Sequence, residues 1–300
     1  MKLLAIAALL LSSLPLHALE IQKVTENVYA VVGPLDQRSA ENLANNATFG
    51  VVVTEDGVVL IDTGGSWLGA QALHASVREI TDQPVKFVIN SGGQDHRWIG
   101  NDYWQQQDAI VVASTVAVAD QKDRGSIQMT GLSVLIGEKL AGTIPAYADI
   151  AFDTEYSFEL GGVTFDITYA GQAHTPGDSF VWVPSASTVF TGDIVYTERI
   201  LGIGNQSHSG TWIDVFAAMA SLSPKHIVPG HGAPTNLAGA TADTYEYLVQ
   251  LRAQMRKFID EGGDIIGSVN VEQGAFAYLE NFEGLAKRNA QQVFSEMEWE

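Results

Sequence analysis

Asp95 and His96 in "GGQDHRW", Asp193 closing "VFTGD", and His231 in "VPGHG" are the residues of this chain best suited to chemistry. Each follows an apolar, strand-like run and falls in a loop that contains glycine. Two carboxylates and two imidazoles brought to loop tips from three distant parts of a chain make a donor set for a divalent ion, zinc above all. A catalytic zinc site also leaves one coordination position open for water. The chain has no cysteine, which excludes thiolate ligands and a cysteine nucleophile, and no Gly-x-Ser-x-Gly elbow offers a rival serine.

The elements that must position these residues can be read from periodicity. Residues 27–33 read as a strand, and "TFGVVV" and "GVVLID" as two more, joined by a turn at Glu55-Asp56-Gly57. "SWLGAQALHASVREI" has Leu73, Val77 and Ile80 at helical spacing, with Ser66 as its N-cap. Short buried strands follow at 85–90, leading into the Asp95-His96 loop, and at 110–114. In the second half, "GVTFDITYA" alternates as a half-buried strand, "SFVWVPSASTVFTGD" folds back around Pro184-Ser185, and "TWIDVFAAMASL" is an amphipathic helix. Residues 121–155 show no clear period and are expected to be a loop or helical insertion near the mouth of the site. From about 238 a stripe of Leu248, Leu251, Met255 and Ile259 marks an added helical segment that stops at Gly262-Gly263.

Four segments, in order, carry a resemblance across roughly residues 27–235: "LIDTG" with Asp62, "NSGGQDH", "GQAHTPGD" with His174, and the pair "TGD" and "PGHG". Together they resemble the metallo-β-lactamase-fold hydrolases, whose metal loop has the pattern His-x-His-x-Asp-His. Ser91 and Gly93 stand where that pattern has its first two histidines. The leader and the tail "FAYLENFEGLAKRNAQQVFSEMEWE" are also similar to periplasmic relatives associated with sulfur-oxidation and quinoprotein systems. The resemblance implies an α/β fold, an αβ/βα four-layer sandwich over 19–237, with the helical extension 238–300 packed on it. It implies two metal positions, one of which retains only His174 and the shared Asp193 here. The other keeps Asp95, His96, Asp193 and His231, so one tightly bound ion is expected, with zinc favoured over iron or manganese. His174 is then a supporting donor, an acid or base, or a weak second ligand, and Asp62 holds the metal loop.

The chemistry implied is activation of water for attack on an ester, thioester or amide, including a β-lactam. Asp95 or Asp193 would take the proton and His174 would supply one to the leaving group. The alternative is a catalytically weakened metal- or ligand-binding accessory protein of a periplasmic redox pathway. His208 is read as a surface histidine, His74 and His226 as structural, and Trp98, Tyr103 and Trp104 as packing beneath the metal loop.

Residues 1–18, with one lysine, an apolar stretch and "SSLPLHA", are expected to be a secretory signal cleaved after Ala18. The mature chain is therefore expected to be exported, and periplasmic in a Gram-negative host, with no membrane span. The balance of 35 Asp and Glu against 16 Lys and Arg gives a net charge of −19. Without a cluster of Lys and Arg to neutralise phosphates, nucleic acid is excluded as a partner, leaving a small-molecule substrate. Specificity is expected from loops 34–46, 121–155 and 197–210. Oligomeric state is not encoded in any recognisable motif.

Overall fold

The computed structural model describes residues 19–300; the expected signal peptide lies outside them. Alternation along the strands dictates the layering. In β3 (Thr48–Thr54) and β4 (Gly57–Ile61), Phe49, Val51, Val58 and Leu60 point one way, and Val52, Val59 and Ile61 the other. Both sets are buried, so the sheet they build has to be covered on both faces.

That sheet has seven strands in sequence order: β1 (Glu20–Thr25), β2 (Val28–Val32), β3, β4, β5 (Val85–Ile89), β6 (Ile110–Ser114) and β7 (Ile150–Phe152). The first four pair antiparallel, and β4 to β7 run parallel through crossovers. The outer face packs on α1 (Trp67–Ile80), through Ala70, Leu73 and Val77, and on Tyr103 and Trp104 of a short helix that follows the metal loop. Ser66 caps α1, its hydroxyl accepting from Gly69 N at 2.9 Å, as expected from its position.

The second sheet orders its five strands β12 (His226–Val228), β11 (Thr188–Phe190), β10 (Phe180–Val183), β9 (Val163–Thr168) and β8 (Glu155–Leu160). Its Phe165, Ile167, Val181, Phe190 and Val228 meet Ala30, Val59, Ile61, Ile89 and Val112 of the first sheet in one apolar layer. Its other face is covered by helices from the last third of the chain; after α1 the helices are α2 (Asp95–Trp98), α3 (Asn101–Gln105), α4 (Thr115–Ile136), α5 (Ser209–Ser221), α6 (Leu237–Ala240), α7 (Glu246–Asp260) and α8 (Phe282–Met297). Of these α5, α7 and α8 share a core with Phe180, Val189 and Ile227. The order is helix, sheet, sheet, helix: the αβ/βα sandwich. No helix of the described residues is long and apolar enough to cross a membrane.

Of the aperiodic stretch 121–155, residues 121–136 belong to the 22-residue helix α4. Its buried face mixes Asp120, Gln121 and Gln128 with Leu132 and Ile136, which is why no hydrophobic period appears. Gln121 donates to Gly92 O at 3.1 Å and Gln128 to Gly93 O at 2.8 Å, so the helix satisfies carbonyls of the metal loop. Strands β1, β7 and β8, which the periodicity did not separate, lie at sheet edges with exposed positions.

Leu251 and Met255 of α7 lie against Trp212 of α5 and Val293 of α8 in the same cluster. Leu251→Ala should therefore destabilise the whole protein by about 2–5 kcal/mol. Urea unfolding followed by circular dichroism and by tryptophan fluorescence should shift as one transition. An early, separate transition for the α7–α8 segment would show that it does not share the core.

Candidate metal centre

The site sits where the ends of five strands meet. Below it, one fully buried guanidinium ties the loops together. Arg97 donates from Nε and Nη2 to the two oxygens of Asp193 at 3.1 and 2.7 Å, and from Nη1 to Asp62 Oδ2 at 2.8 Å. It also reaches the carbonyls of Thr48 at 3.2 Å and Gly230 at 2.8 Å. Planar and permanently charged, it can serve all these acceptors at once. Asp62 also accepts from Ser91 N at 2.7 Å and Ser91 Oγ at 2.8 Å. Asp62 thus holds the metal loop from beneath, as the "LIDTG" segment leads one to expect.

Above Arg97, His96, Asp193 and His231 converge. His96 Nε2 lies 3.3 Å from Asp193 Oδ2, and His231 Nε2 3.1 Å from Asp193 Oδ1. One donor atom from each lies within 4.8 Å of the others, the single such group of three among the described residues. Two ligands each 2.0–2.1 Å from a tetrahedral ion are roughly 3.3 Å apart, so the spacing fits zinc. The hydrogen bonding fits as well. His231 Nδ1 faces Asn46 O at 2.7 Å, a donor contact that leaves Nε2 as the free lone pair. Both ring nitrogens of His96 are buried without a hydrogen-bond partner, a state that a coordinated ion would resolve. Asp193 meets Arg97 with two of its roughly four acceptor sites and keeps others for an ion. Burial alone would raise its pKa, but Arg97, His96 and His174 outweigh that and hold it well below the carboxylate range.

Asp95 does not join this trio. Its carboxylate turns to the Arg38 guanidinium and accepts from Gln94 Nε2 at 3.1 Å and His96 N at 2.8 Å. Of the four expected donors, His96, Asp193 and His231 converge, while Asp95 Oδ1 lies 3.3 Å from His96 Nδ1, where it can orient the ring. Asp95 is the first residue of α2, and Arg38 offers its carboxylate a charged partner. Burial would raise the Asp95 pKa, yet Arg38 and His96 hold it far below its ordinary value.

His174 lies beside the trio, with Nδ1 3.7 Å from Asp193 Oδ2 and no hydrogen-bond partner. Burial lowers its pKa to about 4, against the opposing pull of Asp193, so the ring is neutral at pH 7.

The positions where the family loop has two further histidines are filled differently. The Ser91 hydroxyl faces Asp62, away from the trio. A Cβ on Gly93 would overlap the Asp120 carboxylate, which is paired with Arg124 of α4. Gly192 has φ of +49° and a Cβ there would strike Ser91 Oγ, so the Asp193 loop can approach only with glycine.

Several residues of the site were not picked out from sequence. Arg97 was signalled only by its place directly after Asp95-His96. Tyr196 stacks on His231 with ring centroids 4.6 Å apart. Burial and the neighbouring Asp193 raise its pKa well above the usual value, so it remains a phenol. The cleft over the trio, about 330 Å³, is lined from the expected segments by Arg38, Ile127, Leu135, Arg199 and Ile203, and also by Leu285, Arg288 and Asn289 of α8. His208, expected at the surface, caps α5 by accepting from Thr211 N at 3.2 Å. His74 bonds the Tyr103 hydroxyl at 2.7 Å, and Trp98 and Trp104 are fully buried.

Removing Arg97 leaves Asp62 and Asp193 buried without their cation. Arg97→Met should destabilise the metal-free protein by about 3–5 kcal/mol, measured by chemical denaturation. Arg97→Lys should recover only part, because a lysine cannot bridge both carboxylates in fork geometry. Full recovery by lysine would show that charge alone, and not the fork, holds the loops.

Comparison with known proteins follows the same lines. The sequence model of the metallo-beta-lactamase superfamily matches residues 44–231. A metallo-beta-lactamase type 2 from Elizabethkingia meningoseptica is 24% identical over 223 residues, covering 71% of this chain and 78% of that protein. Among solved structures, a metallo-beta-lactamase from Pontibacter korlensis superposes with a TM-score of 0.62 at 20% identity, covering 77% of this chain and 99% of that one. DIM-1 metallo-beta-lactamase exposed to ceftazidime gives 0.60 at 19% identity, covering 77% and 97%. At such identities the structures speak for the fold alone, but the sequence match spans well over half of the chain, and with it the protein belongs to the metallo-β-lactamase superfamily.

Proposed function

We propose that the protein is an exported hydrolase that uses one zinc ion, held by His96, Asp193 and His231, to cleave an ester, thioester or amide bond, a β-lactam included. The observation that carries this is the trio itself: three buried donors whose ligand atoms lie within 4.8 Å of one another, with His96 Nε2 buried and lacking a hydrogen bond. The open side of the trio faces a cleft of small-molecule size. Export rests on the character of residues 1–18.

When bound, the ion supplies Lewis acidity, which polarises a carbonyl and makes water acidic near neutral pH. The chain's own residues then divide the remaining work. Asp95 is a poor proton acceptor, because Arg38 holds its carboxylate ionised; its part is to orient His96. His174 is neutral, unpartnered at Nδ1 and beside Asp193, so it can take a proton from water, its cationic form being stabilised by that carboxylate. The Tyr196 hydroxyl stays protonated and lines the cleft, where it can donate to an oxygen that gains negative charge. A metal- or ligand-binding accessory role would use the donors but leave His174 and Tyr196, both facing the cleft, without a task.

Elemental analysis of the purified protein should find about one tightly bound ion per chain, zinc in preference to iron or manganese. His231→Ala should lose most of it. His174→Ala should keep most of it, while hydrolysis falls by about 10²–10⁴-fold through loss of proton transfer. Chelation should abolish turnover of a panel of chromogenic ester, thioester and β-lactam substrates, and zinc should restore it. A fully loaded protein that turns over none of them would overturn the hydrolase reading. Equal metal loss in both variants would make His174 a primary ligand.

A further inference from the structure

The cleft above the metal trio has a second chemical character. The chain carries only 16 Lys and Arg against 35 Asp and Glu, yet Arg38, Arg124, Arg199 and Arg288 all line this one cleft. Arg38 is neutralised by Asp95 and Arg124 by Asp120. Among the described residues, Arg199 and Arg288 have no carboxylate in ion-pair range. Arg199 is 4% exposed, and its Nε has no hydrogen-bond partner. Its other contacts are long: Nη1 lies 3.3 Å from Asp36 O and 3.5 Å from His231 Nδ1. A buried cation without a counter-charge is expensive to maintain, and a bound anion offsets that cost. Arg288 stands exposed on α8 at the rim of the same cleft.

The wall beside these arginines is apolar. Ile127 and Leu135 of α4 are 74% and 45% exposed, and they line the cleft together with Leu285 of α8. Arg288, Leu285 and Arg38 all lie outside residues 44–231, the part matched by the superfamily. Arg199, Ile127 and Leu135 lie within it, so this half of the cleft combines residues of the matched region with residues flanking it.

We infer that the substrate is a small amphiphilic anion, its oxyanion group received by Arg199 and Arg288 and its apolar body resting on Ile127, Leu135 and Leu285. That it is a substrate rests on the hydrolase reading; that it binds does not. Recognition is by contact and not by long-range attraction. The net charge of −19 repels anions, but at physiological salt its field is screened beyond about 8 Å, leaving the two arginines to act locally. A cleft of about 330 Å³ also favours a small molecule over a polymer.

The test uses the zinc-loaded full chain and calorimetric titration with hexanoate, hexanamide and hexyl phosphate. Hexanoate should bind more tightly than hexanamide, which has the same apolar body without the charge. Arg288→Gln should weaken hexanoate by about 10–100-fold, the range for a charged hydrogen bond, with metal content unchanged. Arg199→Gln should do the same, and Arg288, being exposed, keeps the test sound if the buried variant fails to fold. Hexyl phosphate that binds tighter than hexanoate, with the same dependence on Arg288, would support the subsite and name phosphate as its group. Hexanoate affinity equal in wild type and Arg288→Gln, but lost in His231→Ala, would put the anion on the metal and overturn the inference. Turnover of 4-nitrophenyl acetate and of its carboxylated counterpart, mono-4-nitrophenyl glutarate, separates the two claims. Binding that depends on Arg288 without turnover of either ester sinks the hydrolase and leaves the anion site. Equal turnover of both, with no such dependence, sinks the anion site and leaves the hydrolase.

Discussion

The buried guanidinium of Arg97 is the interaction on which the rest of the site depends. Its contacts reach residues 48, 62, 193 and 230, at or just beyond the ends of four strands drawn from both sheets. Carboxylates and main-chain carbonyls pointed at one another in the interior would repel without a cation between them. Arg97 resolves this with a fixed planar fork, which also sets where Asp193 stands. With one positive charge against Asp62 and Asp193, the arrangement is still short of positive charge. The proposed divalent ion on the far side of Asp193 would more than offset that one remaining negative charge, so the support and the three donors complement one another.

That support explains the division of labour among the carboxylates. Asp62 and Asp193 both meet Arg97, yet only Asp193 also faces the imidazoles. Asp62 is spent on the loop: it accepts from the backbone and hydroxyl of Ser91. Asp95 is spent on Arg38. Asp62, Asp95 and Asp193 thus each have a cationic partner, and His174, neutral and without a hydrogen bond at Nδ1, is the group to which the proposed function gives the proton.

Much of this was legible in the sequence. Strands with two buried faces leave continuous apolar runs, as in β3 to β6 and β10 to β12, while β9 shows the alternation of a half-buried strand. The site residues were legible because loops at strand ends need glycine, and glycine next to histidine or aspartate is a conspicuous pattern. Two things were not legible, for physical reasons. Helix α4 buries glutamines that bond to Gly92 and Gly93 carbonyls, so its buried face carries no hydrophobic period. Whether the Asp95 carboxylate faces the trio or turns aside depends on Arg38, 57 positions earlier, and no local spacing encodes a partner so distant. The same holds for Arg97, whose acceptors lie 35 to 133 positions away.

The helices that close the chain bear on how one core can be turned to a particular substrate. Asn289 of α8 accepts from Ile203 N at 2.8 Å and donates to Leu201 O at 2.8 Å, so α8 fixes the backbone of a segment that lines the cleft. The same helix presents Leu285 and Arg288 to that cleft one turn and one residue earlier. Its opposite side, through Val293 and Met297, is locked into the core against α5 and α7. A rigid helix with one face in the core and the other in the cleft can hold recognition groups more firmly than a loop could. The metal trio lies in the part of the chain that the superfamily match covers, whereas these groups lie beyond it. On the proposed reading, α8 carries part of the recognition surface and none of the donors, so substitutions on its exposed side can alter what enters the cleft without disturbing His96, Asp193 and His231.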